Sequence, residues 1–140
     1  MKAWEVLRRR ALAFLREAER ELEEGLYDLA AFHAEQAVQL YLKSAILRLS
    51  GEERRGHEVR ELLAEIAFSL DVEGLSELSE RLKRLAKRYR RELRALEEVY
   101  YEARYKPYPY ERDEAEELVK AAKAIIGELE ELEREMWPSP

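Results

Sequence analysis

The chain has 140 residues, 40% of them charged, a formal net charge of −6 at pH 7 and no cysteine. The missing cysteines exclude disulfides, thiolate metal sites and a cysteine nucleophile, and the acidic balance argues against a generic nucleic-acid coat protein. Asn and Thr are also absent, a bias that indicates either a thermophilic source or a designed helical protein. Charge interrupts the first residues, which argues against a signal peptide, and no apolar run is long enough for a membrane span, so we expect a cytoplasmic protein.

Apolar residues recur every three to four positions almost throughout, which predicts an all-α fold. The first helix is predicted from about Lys2 to Glu24, with Gly25 as its stop. A second helix is predicted from Asp28, as its N-cap, to Leu49. After the charged loop GEERRG, a third and shorter helix is predicted from His57 to Leu70.

A long fourth helix is predicted from Asp71 or Ser76 to Arg104, and the prolines of the segment KPYPY end it. The fifth helix is predicted from Asp113 to Met136. Together these elements predict one domain over residues 1–136, a five-helix antiparallel bundle with a four-helix up-and-down core. Residues 137–140, which read WPSP, are expected to fray.

The predicted second helix carries polar side chains along an inward-facing stripe, at His33, Gln36 and Lys43. With His57 they could form a site, or they could be satisfied polar groups at the edge of a packed bundle. We interpret all four as structural: Gln36 would bond to a neighbouring backbone or loop, and Lys43 would extend to water. No H-E-x-x-H motif is present, and we expect no metal and no cofactor.

Residues 81–94 hold eight Arg or Lys against one Glu, whereas residues 111–135 hold ten acidic residues against four basic ones. On a helix, Arg88 and Arg91 belong to a basic row that could contact successive phosphates. Ion pairing between this row and the acidic last helix explains the pattern equally well.

The segment 100–110 contains five tyrosines and two cations. Aromatic faces beside Arg are the materials of base stacking and phosphate contact, so it predicts a nucleotide-binding or RNA-binding site. The candidates are Arg104, Tyr101, Tyr105, Lys106 and Tyr108. The alternative is that the tyrosines pack the end of the bundle or a subunit interface.

Three motifs together resemble the HEPN domain family (higher eukaryotes and prokaryotes nucleotide-binding): D-x-A-x-F-H-A-x-Q-A-x-x-x-Y-L-K-S at 28–44, G-H-x-x-x-x-L-L at 56–63 and A-R-Y-x-P at 103–107. The resemblance covers about residues 3–130. It implies an all-α bundle that forms a homodimer and, in many members, a toxin–antitoxin pair with a minimal nucleotidyltransferase.

The resemblance also implies that active members are metal-independent endoribonucleases with an Arg-x(4-6)-His motif. It maps the arginine onto Arg104 or a nearby basic residue. Counted from Arg104, Pro109, Tyr110 and Glu111 stand where the histidine would fall. The missing imidazole removes the group that transfers protons near neutral pH, so we expect nucleotide or RNA binding without the standard catalysis. The alternatives are an endoribonuclease in which Tyr110 replaces the histidine beside Arg104, and a pure protein-interaction module.

Overall fold

The computed structural model describes residues 1–138, and this part of the chain folds into α-helices without strands. The helices are α1 (Ala3–Glu23), α2 (Tyr27–Ser50), α3 (Val59–Val72), α4 (Ser76–Arg88), α5 (Arg90–Tyr105) and α6 (Arg112–Met136). The predicted all-α class is confirmed. No helix within residues 1–138 combines the length and the apolar composition needed to cross a bilayer.

Small side chains bring α1 and α2 close together. Ala11 and Ala18 on α1, and Ala30, Ala34 and Ala37 on α2, have no exposed surface. Alanine adds little bulk to a helix surface, so the two backbones can approach closely. The turn between them uses Gly25 at a φ of 80°, a conformation that favours glycine.

Helix α2 is the centre of the molecule, since it packs against α1, α3, α5 and α6. Helices α1, α2, α5 and α6 form a four-helix core; α3 packs on α2 and α5 at its side, and α4 packs mainly on α3. The buried core contains apolar residues from every helix, including Leu42, Leu63, Leu82, Leu96 and Ile125. This arrangement places the end of α5 and the connection between α2 and α3 on the same side of α2.

The long fourth helix predicted from the sequence is two helices, because Tyr89 leaves the helical conformation at φ −101° and ψ 22°. The interruption falls where the packing partner changes, since α4 packs mainly on α3 and α5 mainly on α2. Tyr89 still donates its N–H to the carbonyl of Leu85, and its own carbonyl accepts from Leu93 N. No proline or glycine lies nearby, so only tertiary packing explains the break.

The start of α2 also differs from the prediction. The helix begins at Tyr27 after Leu26, and Asp28 does not cap it. The Asp28 carboxylate instead accepts a hydrogen bond of 2.6 Å from the backbone N of Tyr110. Asp28 therefore attaches the loop that follows α5 to the start of α2.

The segment predicted to fray begins at Trp137, whose ring centroid lies 4.0 Å from the Arg48 guanidinium carbon. Ser139 and Pro140 lie outside the described residues.

Candidate functional site

The last turns of α5 present a row of polar and aromatic side chains on one face. Glu97, Tyr100, Tyr101 and Arg104 are three or four residues apart, so they follow one another along the helix surface. The helix stops at Tyr105 because Lys106, with φ −77° and ψ 136°, takes the extended conformation that a following proline favours. Arg104 therefore lies in the last turn, where the helix dipole favours a cation.

Arg104 is exposed and lies against two tyrosine rings. Its Cζ is 4.4 Å from the Tyr100 centroid and 5.3 Å from the Tyr105 centroid. Its Nε donates a hydrogen bond of 3.0 Å to the Tyr100 carbonyl oxygen. The hydrogen bonds found in residues 1–138 engage only this nitrogen, which leaves the two Nη groups as donors for an anion.

The tyrosines near Arg104 differ in exposure. Tyr105 is 74% exposed and Tyr101 51% exposed, while Tyr108 in the following loop is 76% exposed. Exposed rings of this size are accessible to a stacking ligand. Lys106 pairs with Glu102 across one helical turn, and this contact raises the pKa of Lys106. The predicted binding residues Arg104, Tyr101 and Tyr105 thus share one end of α5, with Lys106 and Tyr108 in the loop beyond it.

His57 joins this group from the connection between α2 and α3. Its ring is stacked on Tyr100 at a centroid distance of 4.2 Å and an interplanar angle of 3°. Its Nε2 lies 3.2 Å from the Tyr101 hydroxyl, and the Tyr101 ring meets it edge-on. The sequence interpretation of His57 as structural did not link it to Tyr100 or Arg104, because residues so distant in the chain meet only through the fold.

Tyr110 lines a groove between α5 and α6, and it also lines a second cavity with Lys106 and Tyr108, two of the predicted binding residues. Its hydroxyl donates a hydrogen bond of 3.1 Å to Glu102. Burial raises the pKa of Tyr110, and the negative charges of Glu102, Glu114 and Glu98 raise it further. A phenol in this environment is a poor proton acceptor, so the geometry argues against Tyr110 as a replacement for the family's histidine.

Arg88 ends α4 and Arg91 lies in the first turn of α5, at the opposite end of that helix from Arg104. Arg91 lines the same acidic groove as Tyr110. Arg88 makes an ion pair of 2.6 Å with Glu128 on α6, and Arg81 pairs with Glu135 on the same helix. Thirteen residues of helix separate Arg91 from Arg104, about 20 Å along the axis. These arginines do not form one site with Arg104.

The polar stripe of α2 divides into two groups. His33 Nδ1 lies 2.7 Å from a carboxylate oxygen of the buried Glu21, and its ring stacks on Phe14 at 5.2 Å. Gln36 donates a hydrogen bond of 2.7 Å to Glu35. Lys43 is half-buried; burial lowers its pKa, and the charge of Glu35 opposes that change.

Glu35 is a charged residue that the sequence did not single out, because glutamates are so abundant in this chain. It has no exposed surface. Gln36 and Gln39 donate to its two oxygens at 2.7 and 2.8 Å. Burial raises the pKa of Glu35, whereas the two amides and the charges of Lys43 and Arg104 oppose that rise. Glu35 thus connects the stripe of α2 electrostatically with Arg104 on α5.

The site can therefore offer a stacking surface and a cation for a phosphate. Within residues 1–138, no group of three or more His, Asp or Glu side chains is arranged to hold a metal ion.

Comparisons with known proteins agree with this fold. The model of the HEPN domain family matches residues 4–132. The crystal structure of TT1696 from Thermus thermophilus is similar with a TM-score of 0.71 and 28% identity, over 94% of this chain and 99% of that one. The structure of ST0689, described as an archaeal HEPN homologue, has a TM-score of 0.60 and 24% identity, over 93% and 97% of the two chains. No curated protein matches. Because the family model spans almost the whole chain, the protein belongs to the HEPN domain family.

Proposed function

We propose that this HEPN domain binds RNA or a nucleotide at the surface formed by Arg104 with Tyr100, Tyr101 and Tyr105. The observation that carries the proposal is the Arg104 guanidinium, which lies against the rings of Tyr100 and Tyr105 with its Nη groups available. The phosphate would accept from these groups, and a base would stack on an exposed ring.

Charge and exposure support this choice of surface. The basic run in α4 is partly paired with α6, through Arg81 and Glu135 and through Arg88 and Glu128. Tyr110 and Arg91 line a groove with five glutamates, where a phosphate would be repelled. The end of α5 combines an exposed cation with exposed aromatic rings, so it is the surface that suits an anionic, aromatic ligand.

The partners follow from the family resemblance. We propose that the protein acts as a homodimer and pairs with a minimal nucleotidyltransferase in a toxin–antitoxin-like system. Co-purification of the two chains from a host that expresses both, followed by a mass measurement of the complex, tests this pairing. Separate elution of the two chains would contradict it.

Binding by Arg104 is tested with a short fluorescein-labelled single-stranded RNA. We expect Arg104→Ala to weaken binding at least tenfold, because it removes the donors to the phosphate and the guanidinium that lies against the tyrosine rings. Arg16→Ala is the matched control, since it removes the same charge from an exposed position on α1, a helix that makes no contact with α5 within residues 1–138. If both variants lost the same RNA affinity, net charge alone would explain the loss, and the result would contradict a binding site at Arg104.

The endoribonuclease alternative predicts RNA cleavage in EDTA that Arg104→Ala abolishes. The acidic surroundings of the Tyr110 hydroxyl, which donates to Glu102, argue against that reaction. The protein-interaction alternative predicts unchanged RNA binding in Arg104→Ala and weaker subunit association in Tyr105→Ala.

A further inference from the structure

We propose that His57 positions the Arg104 guanidinium through the ring of Tyr100, so that ligand affinity at this surface depends on an aromatic ring at residue 57. The inference rests on the proposed function of the same surface. It adds a residue from a different part of the chain, 47 positions before Arg104.

The connection between α2 and α3 is fixed to α5 immediately beside the site. Arg60, in the first turn of α3, donates from its backbone N at 3.1 Å and from its Nε at 2.9 Å to the Glu97 carboxylate. A second guanidinium nitrogen donates to the other carboxylate oxygen at 2.7 Å. This forked contact holds the start of α3 one helical turn before Tyr100 and Tyr101, which brings His57 to their rings.

His57 makes two different contacts with these rings. It is parallel to Tyr100, with 4.2 Å between centroids, and its Nε2 is 3.2 Å from the Tyr101 hydroxyl. Tyr101 is in turn edge-on to Tyr100, at an interplanar angle of 86°. The three rings constrain one another, so Tyr100 has little freedom to rotate.

Arg104 contacts Tyr100 at two points, and its contact with the ring depends on that constraint. Its Cζ lies 4.4 Å from the Tyr100 centroid, and its Nε donates to the Tyr100 carbonyl oxygen. An exposed arginine without such contacts samples many rotamers, and a ligand must order it at an entropic cost. By holding Tyr100, His57 lowers that cost without touching the ligand.

The test compares the affinity of variants for the same fluorescein-labelled single-stranded RNA. We expect His57→Ala to weaken binding about 2- to 10-fold, the range of a lost aromatic pair. His57→Phe should restore most of that loss, because it keeps the parallel ring and lacks only the contact with the Tyr101 hydroxyl. Phe68→Ala is the control for loss of an aromatic ring: its side chain is 69% exposed on α3, and its affinity should equal that of the wild type.

The Arg104 Nε–H resonance gives a readout that does not require a ligand. Loss of the ring at residue 57 should shift this resonance in His57→Ala, and His57→Phe should return it towards the wild-type position. A change in general stability alone would not produce that pattern.

The two proposals can fail separately. If Arg104→Ala loses binding while His57→Ala binds as well as wild type, the inference is wrong and the proposed function stands. If wild-type protein does not bind the RNA, the proposed function fails. The Arg104 Nε–H resonance then tests the inference alone, and an unchanged resonance in His57→Ala would overturn it.

Discussion

The buried carboxylate of Glu35 shows how single residues shape the region behind the site. Gln36 and Gln39 donate to both of its oxygens, and it has no exposed surface. Loss of hydration nevertheless dominates, so the pKa of Glu35 lies above its ordinary value. The folded protein therefore takes up a proton at Glu35 more readily than the unfolded chain does.

This difference predicts that Glu35→Gln raises the melting temperature at pH 7 more than at pH 4. A raised folded-state pKa contributes stability that is fully present below the unfolded-state pKa and is lost as the pH rises through the folded-state pKa. Glutamine stays neutral throughout, so the variant escapes that loss. Thermal unfolding followed by circular dichroism at the two pH values measures the effect. The same change in melting temperature at both would show that the charge at Glu35 has no role.

The residues of the site could be predicted from the sequence only in part. Arg104, Tyr101 and Tyr105 stand together in one short segment, so composition alone indicated them as binding candidates. His57 and Glu35 come from other helices or connections, and only the packing of α2, α3 and α5 brings them near Arg104. Tyr110 is close to Arg104 in the chain, but its hydroxyl is bound to Glu102 in a groove with four other glutamates, which only the fold brings together.

At the scale of the elements, two glycines differ in their effect on the helix that contains or precedes them: Gly51 follows the end of α2, and Gly127 lies in the interior of α6. Gly51 ends α2 in the left-handed conformation, at φ 77°. Gly127 lies inside α6, and a Cβ added there would have nothing within 4 Å. A side chain at Gly51 would also meet no atom, so backbone conformation alone separates the two sites.

We expect the same substitution at these glycines to have opposite effects. Gly51→Ala should lower the free energy of unfolding by about 1 kcal/mol, because alanine is strained in the left-handed region. Gly127→Ala should raise it by roughly 0.5–1 kcal/mol, because alanine favours the helix interior. Urea unfolding curves of the two variants and the wild type measure both values. Destabilisation by Gly127→Ala would contradict the role given to that position.

Helix positions were predictable because local periodicity determines them. The glycines at residues 25 and 51 and the prolines after α5 mark ends that the structure places within a few residues of the prediction. The break at Tyr89 was not predictable, because it arises from tertiary packing: the helix before it packs on α3 and the helix after it packs on α2. The hydrogen bond from the backbone N–H of Tyr110 to the Asp28 carboxylate was not predictable either, because only the fold brings these two residues together.

At the scale of the whole molecule, Arg48 on α2 holds the two ends of the described chain together. Its guanidinium carbon lies 4.0 Å from the ring centroids of both Trp4 and Trp137. It also donates at 3.3 Å to Glu133, a buried residue whose pKa is raised by burial. One cation thus joins α1, α2 and the end of α6.

Arg48→Ala should lower the free energy of unfolding by about 1–3 kcal/mol, because the buried Glu133 loses a charged partner and two rings lose their cation. Since the chain contains two tryptophans and both contact Arg48, their fluorescence emission should also shift. Arg81→Ala is the control, because its pair with Glu135 is more exposed and should contribute less than about 1 kcal/mol. Equal losses of stability in the two variants would contradict the role of the buried contact.

The charge asymmetry of the sequence also acts across the molecule. Ion pairs join the basic run of α4 to the acidic α6, as the pairing interpretation expects, through Arg81 and Arg88. The two pairs offset part of the basic charge on that face, whereas Arg104 makes no ion pair within residues 1–138 and lies against two tyrosine rings.

Photo-crosslinking measures directly where RNA contacts the protein. Wild-type protein would be irradiated with a single-stranded oligonucleotide that contains 5-iodouridine, which reacts with stacked aromatic side chains, and the modified peptides identified by mass spectrometry. We predict crosslinks at Tyr101 or Tyr105, the exposed rings beside Arg104. Crosslinks confined to other helices, or none at an RNA concentration that gives binding, would contradict the assignment of this surface.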